Sequence, residues 1–132
     1  MNLLLRARLA GEILGDYVTV RRELRHHSLP AVVSGLRSGV AERERCPPDP
    51  HDGRRLARAV VRTLESLPVD SRCLMRSLVL LRVLARRGVT AELVIAVRPG
   101  GHDRLGAHAW VEVAGEPMLS PAGTDHGRLV TL

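Results

Sequence analysis

Between residues 3 and 25, Leu5, Leu9, Ile13 and Tyr17 recur at four-residue steps with Leu4 and Val20 nearby, while Arg6, Arg8, Glu12, Asp16 and Arg22 fall mostly elsewhere. Residues three and four apart are neighbours on a helix surface, so the spacing predicts a helix with one apolar stripe. A shorter second helix is expected in "LPAVVSGLRSG", where Pro30 suits a first turn and Gly39 an end. The stretch "CPPDPHDG", residues 46 to 53, holds three prolines, two aspartates and a glycine. It reads as a loop that divides an N-terminal helical hairpin from the rest. After it, "GRRLARAVVRTLESLP" gathers Leu56, Val60, Leu64 and Leu67 on one side, sets Arg54, Arg55, Arg58 and Arg62 largely on the other, and stops at Pro68.

The next segment, "SRCLMRSLVLLRVLARRG", carries signals at both ends. Asp70 or Ser71 can cap its start, Gly88 can close it, and Arg86 and Arg87 suit the negative pole of the helix dipole. Leu74, Leu78, Leu81 and Ala85 form one stripe, which Val79, Leu80, Val83 and Leu84 widen over most of the circumference. A helix apolar on so many sides belongs at the centre of the fold.

From residue 88 the period changes to two. Val89, Ala91, Leu93, Ile95 and Val97 alternate with Thr90, Glu92, Val94 and Ala96, and "AHAWVEV" follows after the turn-rich "RPGGHDRLG". In that second strand His108, Trp110 and Glu112 share one face and Ala107, Ala109, Val111 and Val113 the other. Two strands so close in sequence should pair antiparallel. "AGEPM" predicts a tight turn into a short third strand near Met118 and Leu119, and "RLVTL" supplies a fourth. The pattern gives an α+β chain, helices first and a small antiparallel sheet after.

Composition narrows the class. At 132 residues the chain is one domain, and with no Phe, one Trp and one Tyr its core must be aliphatic. All 20 basic residues are Arg, a uniformity that fits a coding bias better than 20 separate needs for guanidinium geometry. The net charge of +6 favours an acidic partner without choosing among nucleic acid, an anionic membrane face and an acidic peptide. Charged residues interrupt the apolar start too early for a membrane span. Two cysteines outside any C-x-x-C motif read as reduced thiols of a cytoplasmic protein.

Of the two, Cys46 sits in "CPPDP" and reads as a passive thiol, whereas Cys73 falls in a helix's first turn. Unpaired N–H groups and the dipole there stabilise a thiolate, lowering a thiol pKa from about 8.5 toward roughly 3.5 to 7.5. Cysteine is also a common core residue, so position alone leaves packing and nucleophilicity both open. His108, projecting from a strand on which such a helix can pack, supplies the base that completes a nucleophile–base pair. Trp110 reads equally as a wall of a cleft or as core. Glu112 lies four residues along the strand from His108, roughly 13 Å, too far for a direct bond. His26, His27, His51, His102 and His126 show no ligand spacing, and no P-loop pattern occurs, so neither a metal nor another cofactor is expected.

"SRCLMRSLVLLRVLARRGVTAELVIAVRP" followed by "AHAWVEVAGEPM" resembles the B2-type leader peptidases of lasso-peptide biosynthesis, which are transglutaminase-like cysteine proteases. The resemblance covers residues 71 to about 119. It implies a transglutaminase/papain-like fold over residues 1–132, with an N-terminal helical region at 1–45 and a catalytic core at 54–132. It also implies removal of the leader peptide from a ribosomally made precursor, with Cys73 as nucleophile and His108 as base. The family's third catalytic residue is an aspartate about twelve positions after the histidine, where this chain has Ser120. Either Asp125 takes the role or the enzyme works as a dyad. The implied partners are the precursor's leader region, a separate B1-type leader-recognition protein and the macrolactam cyclase that acts next. Two other readings stay in view. One is a non-catalytic relative that holds a peptide. The other is a basic nucleic-acid-binding domain, for which charge is the whole case because stacking aromatics and recognition motifs are missing.

Overall fold

The computed structural model describes residues 2–41, 50–66, 73–97, 107–118 and 127–131. Helix α1 spans Leu3–His26, and its first turn is capped by Asn2, whose Oδ1 accepts from the Leu4 N–H at 3.3 Å. Its stripe is covered only from Leu9 onward: Ile13, Tyr17 and Val20 are buried, while Leu4 and Leu5 are 77% and 55% exposed. Helix α2, Leu29–Ala41, has Pro30 in its first turn, where no intrahelical donor is lost, and buries Val32, Val33 and Leu36.

Helix α3 spans Pro50–Glu65 and corrects the expected loop at residues 46 to 53 over its second half, 50–53; residues 46–49 lie outside the described residues. Pro50 opens the helix, a position that proline's fixed φ favours, and Asp52 adds an acid to the first turn. Gly53 is then explained by packing. A Cβ there would collide with the sulfur of Met118, so glycine lets this turn lie against the sheet's edge. Leu56, Val60 and Leu64 are buried as the stripe predicts. Leu67 and Pro68 lie outside the described residues.

Helix α4, Cys73–Arg86, is the hub. Met75 and Ser77 to Leu81 are buried, as are Val83, Leu84 and Ala85. Only a helix with neighbours on nearly every side loses so much surface to them. It packs on α1, α2 and α3 and lies against the sheet. The expected N-terminal hairpin is thus modified: α1 and α2 each engage α4 more than one another. The helix ends as the glycine foretold, with Gly88 at φ 76° and the Val89 N–H reaching back to the Leu84 carbonyl at 2.9 Å.

Four antiparallel strands follow: β1 Glu92–Val97, β2 Ala107–Val113, β3 Glu116–Pro117 and β4 Gly127–Thr131, in the order β3-β2-β1-β4. Strand β1 starts later than the alternation suggested, because Val89 belongs to the helix-ending turn. Strands β1 and β2 pair from Glu92 opposite Glu112 to Val97 opposite Ala107. Ala114 and Gly115, with φ of 52° and 80°, form a two-residue turn, so β3 begins at Glu116 rather than near Met118. Pro117 is tolerated because β3 is an edge strand. The helix-facing side of the sheet contributes Leu93, Ile95, Ala109, Val111 and Val113 to the main core, while Val94 and Trp110 form a separate small cluster.

Candidate active site

Cys73 is the first residue of α4, a free thiol that is half-buried against the main core. Being first, it carries one of the N–H groups that an α-helix leaves without an intrahelical acceptor. His108 lies in β2 opposite Ala96 of β1, and the described residues include its backbone but not its imidazole. Asp125 and Ser120, the alternatives for a third group, lie outside the described residues, as do Cys46 and the capping candidates Asp70 and Ser71.

A contact that the sequence reading did not single out ties these elements together. Ser77, four residues after Cys73 and so one turn along the same side of α4, is fully buried. Its Oγ donates to the carbonyl oxygen of Ala109 at 3.1 Å. Ala109 directly follows His108 in β2, so the opening turns of α4 are fastened to the segment of strand that carries the histidine; Ala109 is on the helix-facing side of the sheet, whereas position 108 falls with Trp110 and Glu112 on the other face. The sequence held a signal for Ser77: a hydroxyl inside an aliphatic helix needs a partner when the helix is buried, because an unmet donor costs about 1–3 kcal/mol.

On β2, Trp110 is buried and its Nε1 donates to Glu112 Oε2 at 2.9 Å. Of its two readings, core is the one observed, and Glu112 serves that indole rather than standing free in a cleft. A second buried carboxylate was not anticipated. Asp16 falls off the apolar stripe of α1, yet it is 1% exposed, and its Oδ1 accepts from Arg82 Nε at 2.8 Å and Arg86 Nη1 at 2.7 Å. Arg82 and Arg86 are one turn apart on α4, so a single carboxylate clamps α1 to the hub helix. Among the described residues, no group of three or more His, Cys, Asp or Glu side chains is arranged to hold a metal, and no helix is long and apolar enough to cross a membrane.

The sequence of these elements, a helix opened by cysteine and then an antiparallel sheet with histidine on its second strand, matches a known family. The model of the transglutaminase-like superfamily aligns with residues 17–129, most of the chain. The chain belongs to that superfamily. Searches of curated proteins and of solved structures find no match. The transglutaminase-like superfamily commonly includes cysteine peptidases, and its match takes in Cys73, His108, strands β1 to β3 and the start of β4. The α+β architecture of this transglutaminase-like domain, four helices on a small antiparallel sheet, is the fold class that the periodicity predicted.

Proposed function

We propose that the chain is a cysteine endopeptidase that removes the leader peptide from a lasso-peptide precursor, with Cys73 as nucleophile and His108 as its base. The observation that carries this reading is the order of elements, a helix opened by Cys73 and then an antiparallel sheet with His108 on its second strand, within the residues that the superfamily model matches. Membership of a superfamily rich in cysteine peptidases supports the reaction class. The resemblance of residues 71 to about 119 to B2-type leader peptidases supports the substrate.

On this reading, the His108 imidazole takes the Cys73 proton and the thiolate attacks the carbonyl carbon of the scissile bond. The Cys73 N–H, which the helix leaves without an intrahelical acceptor, donates to the developing oxyanion. Collapse breaks the C–N bond, the imidazolium protonates the departing core-peptide amine, and water hydrolyses the thioester to free the leader. The released amine is then the nucleophile for closure by a separate cyclase. Asp125, if it orients His108, makes a triad, and otherwise Cys73 and His108 act as a dyad. The leader is presented by a separate recognition protein, and the setting is cytoplasmic.

The test combines the chain with a lasso precursor and its leader-recognition protein and follows leader removal by mass spectrometry. Cleavage is expected with wild type and lost in Cys73→Ala and His108→Ala. Asp125→Asn separates triad from dyad: a dyad keeps its rate, whereas a triad member's loss lowers kcat by orders of magnitude. Cleavage that survives Cys73→Ala would sink the proposal.

A further inference from the structure

Several of the arginines whose side chains are described are matched to acids. Arg54 meets Glu116, Arg76 meets Glu65, Arg82 and Arg86 share Asp16, and Arg87 meets Glu12. Arg6, Arg55, Arg58 and Arg62, like Arg21, Arg22 and Arg25 in the last turns of α1, are exposed and have no carboxylate partner among the described residues. The first four are not scattered. They rim one groove between the first half of α1 and α3.

The floor of that groove is aliphatic. One depression of about 280 Å³ is lined by Leu9, Ala10 and Ala59 beneath Arg6, Arg58 and Arg62. An adjoining one of about 450 Å³ is lined by Leu5, Leu9, Leu56 and Ala59, with Arg55 and Arg87 at its side. Leu5, more than half exposed, extends the apolar surface toward the start of α1, where the helix stripe finds nothing to cover it. The Arg87 end of the groove is remote from Cys73. Arg87 and Cys73 sit at opposite ends of the hub helix, about 20 Å apart at 1.5 Å per residue.

We propose that this groove is a docking site for an acidic amphipathic helix of a partner protein, whose apolar stripe fills the two depressions and whose flanking Glu or Asp side chains meet Arg6, Arg55, Arg58 and Arg62. Charge complementarity selects the sign of the occupant, since four unneutralised guanidiniums around a low-polarity floor attract carboxylates and repel a basic surface. The floor selects its form. Two adjoining depressions that share Leu9, Arg55 and Ala59 between a pair of packed helices offer successive seats to an apolar stripe, which is how an amphipathic helix lies in a groove. Single-stranded nucleic acid is disfavoured because the lining has no aromatic side chain on which a base could stack. The inference does not depend on the peptidase assignment, because the groove binds a partner whether or not Cys73 is a nucleophile.

The test uses a fluorescein-labelled 16-residue synthetic peptide with Leu at every fourth position and Glu on the flanking positions, titrated against the full chain by anisotropy. Its controls are a scrambled peptide of the same composition, a version with Lys in place of Glu, a DNA duplex and vesicles of phosphatidylglycerol. Saturable binding of the acidic amphipathic peptide is expected, at least tenfold tighter than either peptide control, and weakened at least tenfold by the double change Arg58→Glu with Arg62→Glu. Those two side chains are exposed, so the variant should keep the wild-type circular dichroism and melting curve. Ala59→Trp, which fills both depressions, should weaken binding similarly without altering charge. Binding no tighter than that of the scrambled peptide overturns the proposal. So does tighter binding of DNA or vesicles that is lost in the same Arg variants.

Discussion

The residue that most repays attention is Asp16, because its environment sets an order among variants. The carboxylate is buried, whereas Arg82 and Arg86 are 31% and 43% exposed. Removing the acid leaves two cations that water can reach, and removing both bases leaves an anion that it cannot. Hydrogen bonds to charged groups contribute about 1.5–3 kcal/mol, while an uncompensated buried charge costs about 3–5 kcal/mol. Asp16→Asn is therefore expected to lose roughly 1–3 kcal/mol, and the double change Arg82→Ala with Arg86→Ala more than that, read by urea denaturation. The reverse order would show that Asp16 is hydrated rather than held by the pair. Gly53 makes a smaller point of the same kind. Gly53→Val places branched carbon where Met118 packs, and overpacking of this sort costs about 1–3 kcal/mol. Combining it with Met118→Ala should return part of that loss, a non-additivity that a thermal-melt cycle would detect.

At the scale of elements, α4 and β2 carry the fold's organisation. Ser77 fixes how the helix crosses the strand, so its loss should act on stability and on the alignment of the cysteine end together. Ser77→Ala is expected to cost about 1–3 kcal/mol, because the buried hydroxyl that met the Ala109 carbonyl is gone. On the peptidase reading it should also lower kcat more than it raises KM, since substrate binding does not use the hydroxyl. A loss of stability with kcat unchanged would separate the hydrogen bond from the chemistry. On the other side of β2, Trp110 and Glu112 hold one another in a buried pair. Glu112→Gln keeps an oxygen acceptor for the indole and should be tolerated better than Glu112→Leu, which leaves the Trp110 N–H without it, a difference readable in chemical denaturation.

At the scale of the molecule, the helices wrap α4 while the sheet closes its remaining side, and this arrangement separates two regions of different chemistry. The cysteine end of α4 meets the histidine strand, and the opposite end reaches the arginine-rimmed groove of α1 and α3. A protein of this layout can engage a partner at one end without covering the other. In the leader-removal assay, Arg58→Glu with Arg62→Glu is expected to slow cleavage when the recognition partner carries the acidic helix, raising the partner concentration needed for half-maximal rate. A short peptide that spans the scissile bond but lacks the part of the leader bound by the recognition partner should be cut at the wild-type rate by the same variant. Equal slowing of both would indicate damage to the site rather than to docking.

The order of elements was legible from residues alone because each signal was local. The apolar stripe of α3, the wide apolar face that made α4 central, the glycine end at Gly88 and the alternation of "AHAWVEV" all depend on neighbours three or four residues away at most. Candidate chemistry was legible to the same depth: a cysteine at a helix start and a histidine on a strand. Misreadings arose where tertiary packing outweighs local composition. Proline and glycine at Pro50 and Gly53 read as loop, yet one is suited to a helix's first turn and the other lets the Met118 side chain approach closely. Asp16 read as a surface residue because only α4, some 66 positions later, supplies the arginines that make its burial tolerable. The strand partners, the order β3-β2-β1-β4 and the fastening of Ser77 to Ala109 are likewise relations between distant segments. The sequence by itself determined which elements form and which residues are chemically capable. Only the folded chain decided which of them meet, because the choice of partner segments and the long-range hydrogen bonds between them have no signature in the spacing of residues along one strand or helix.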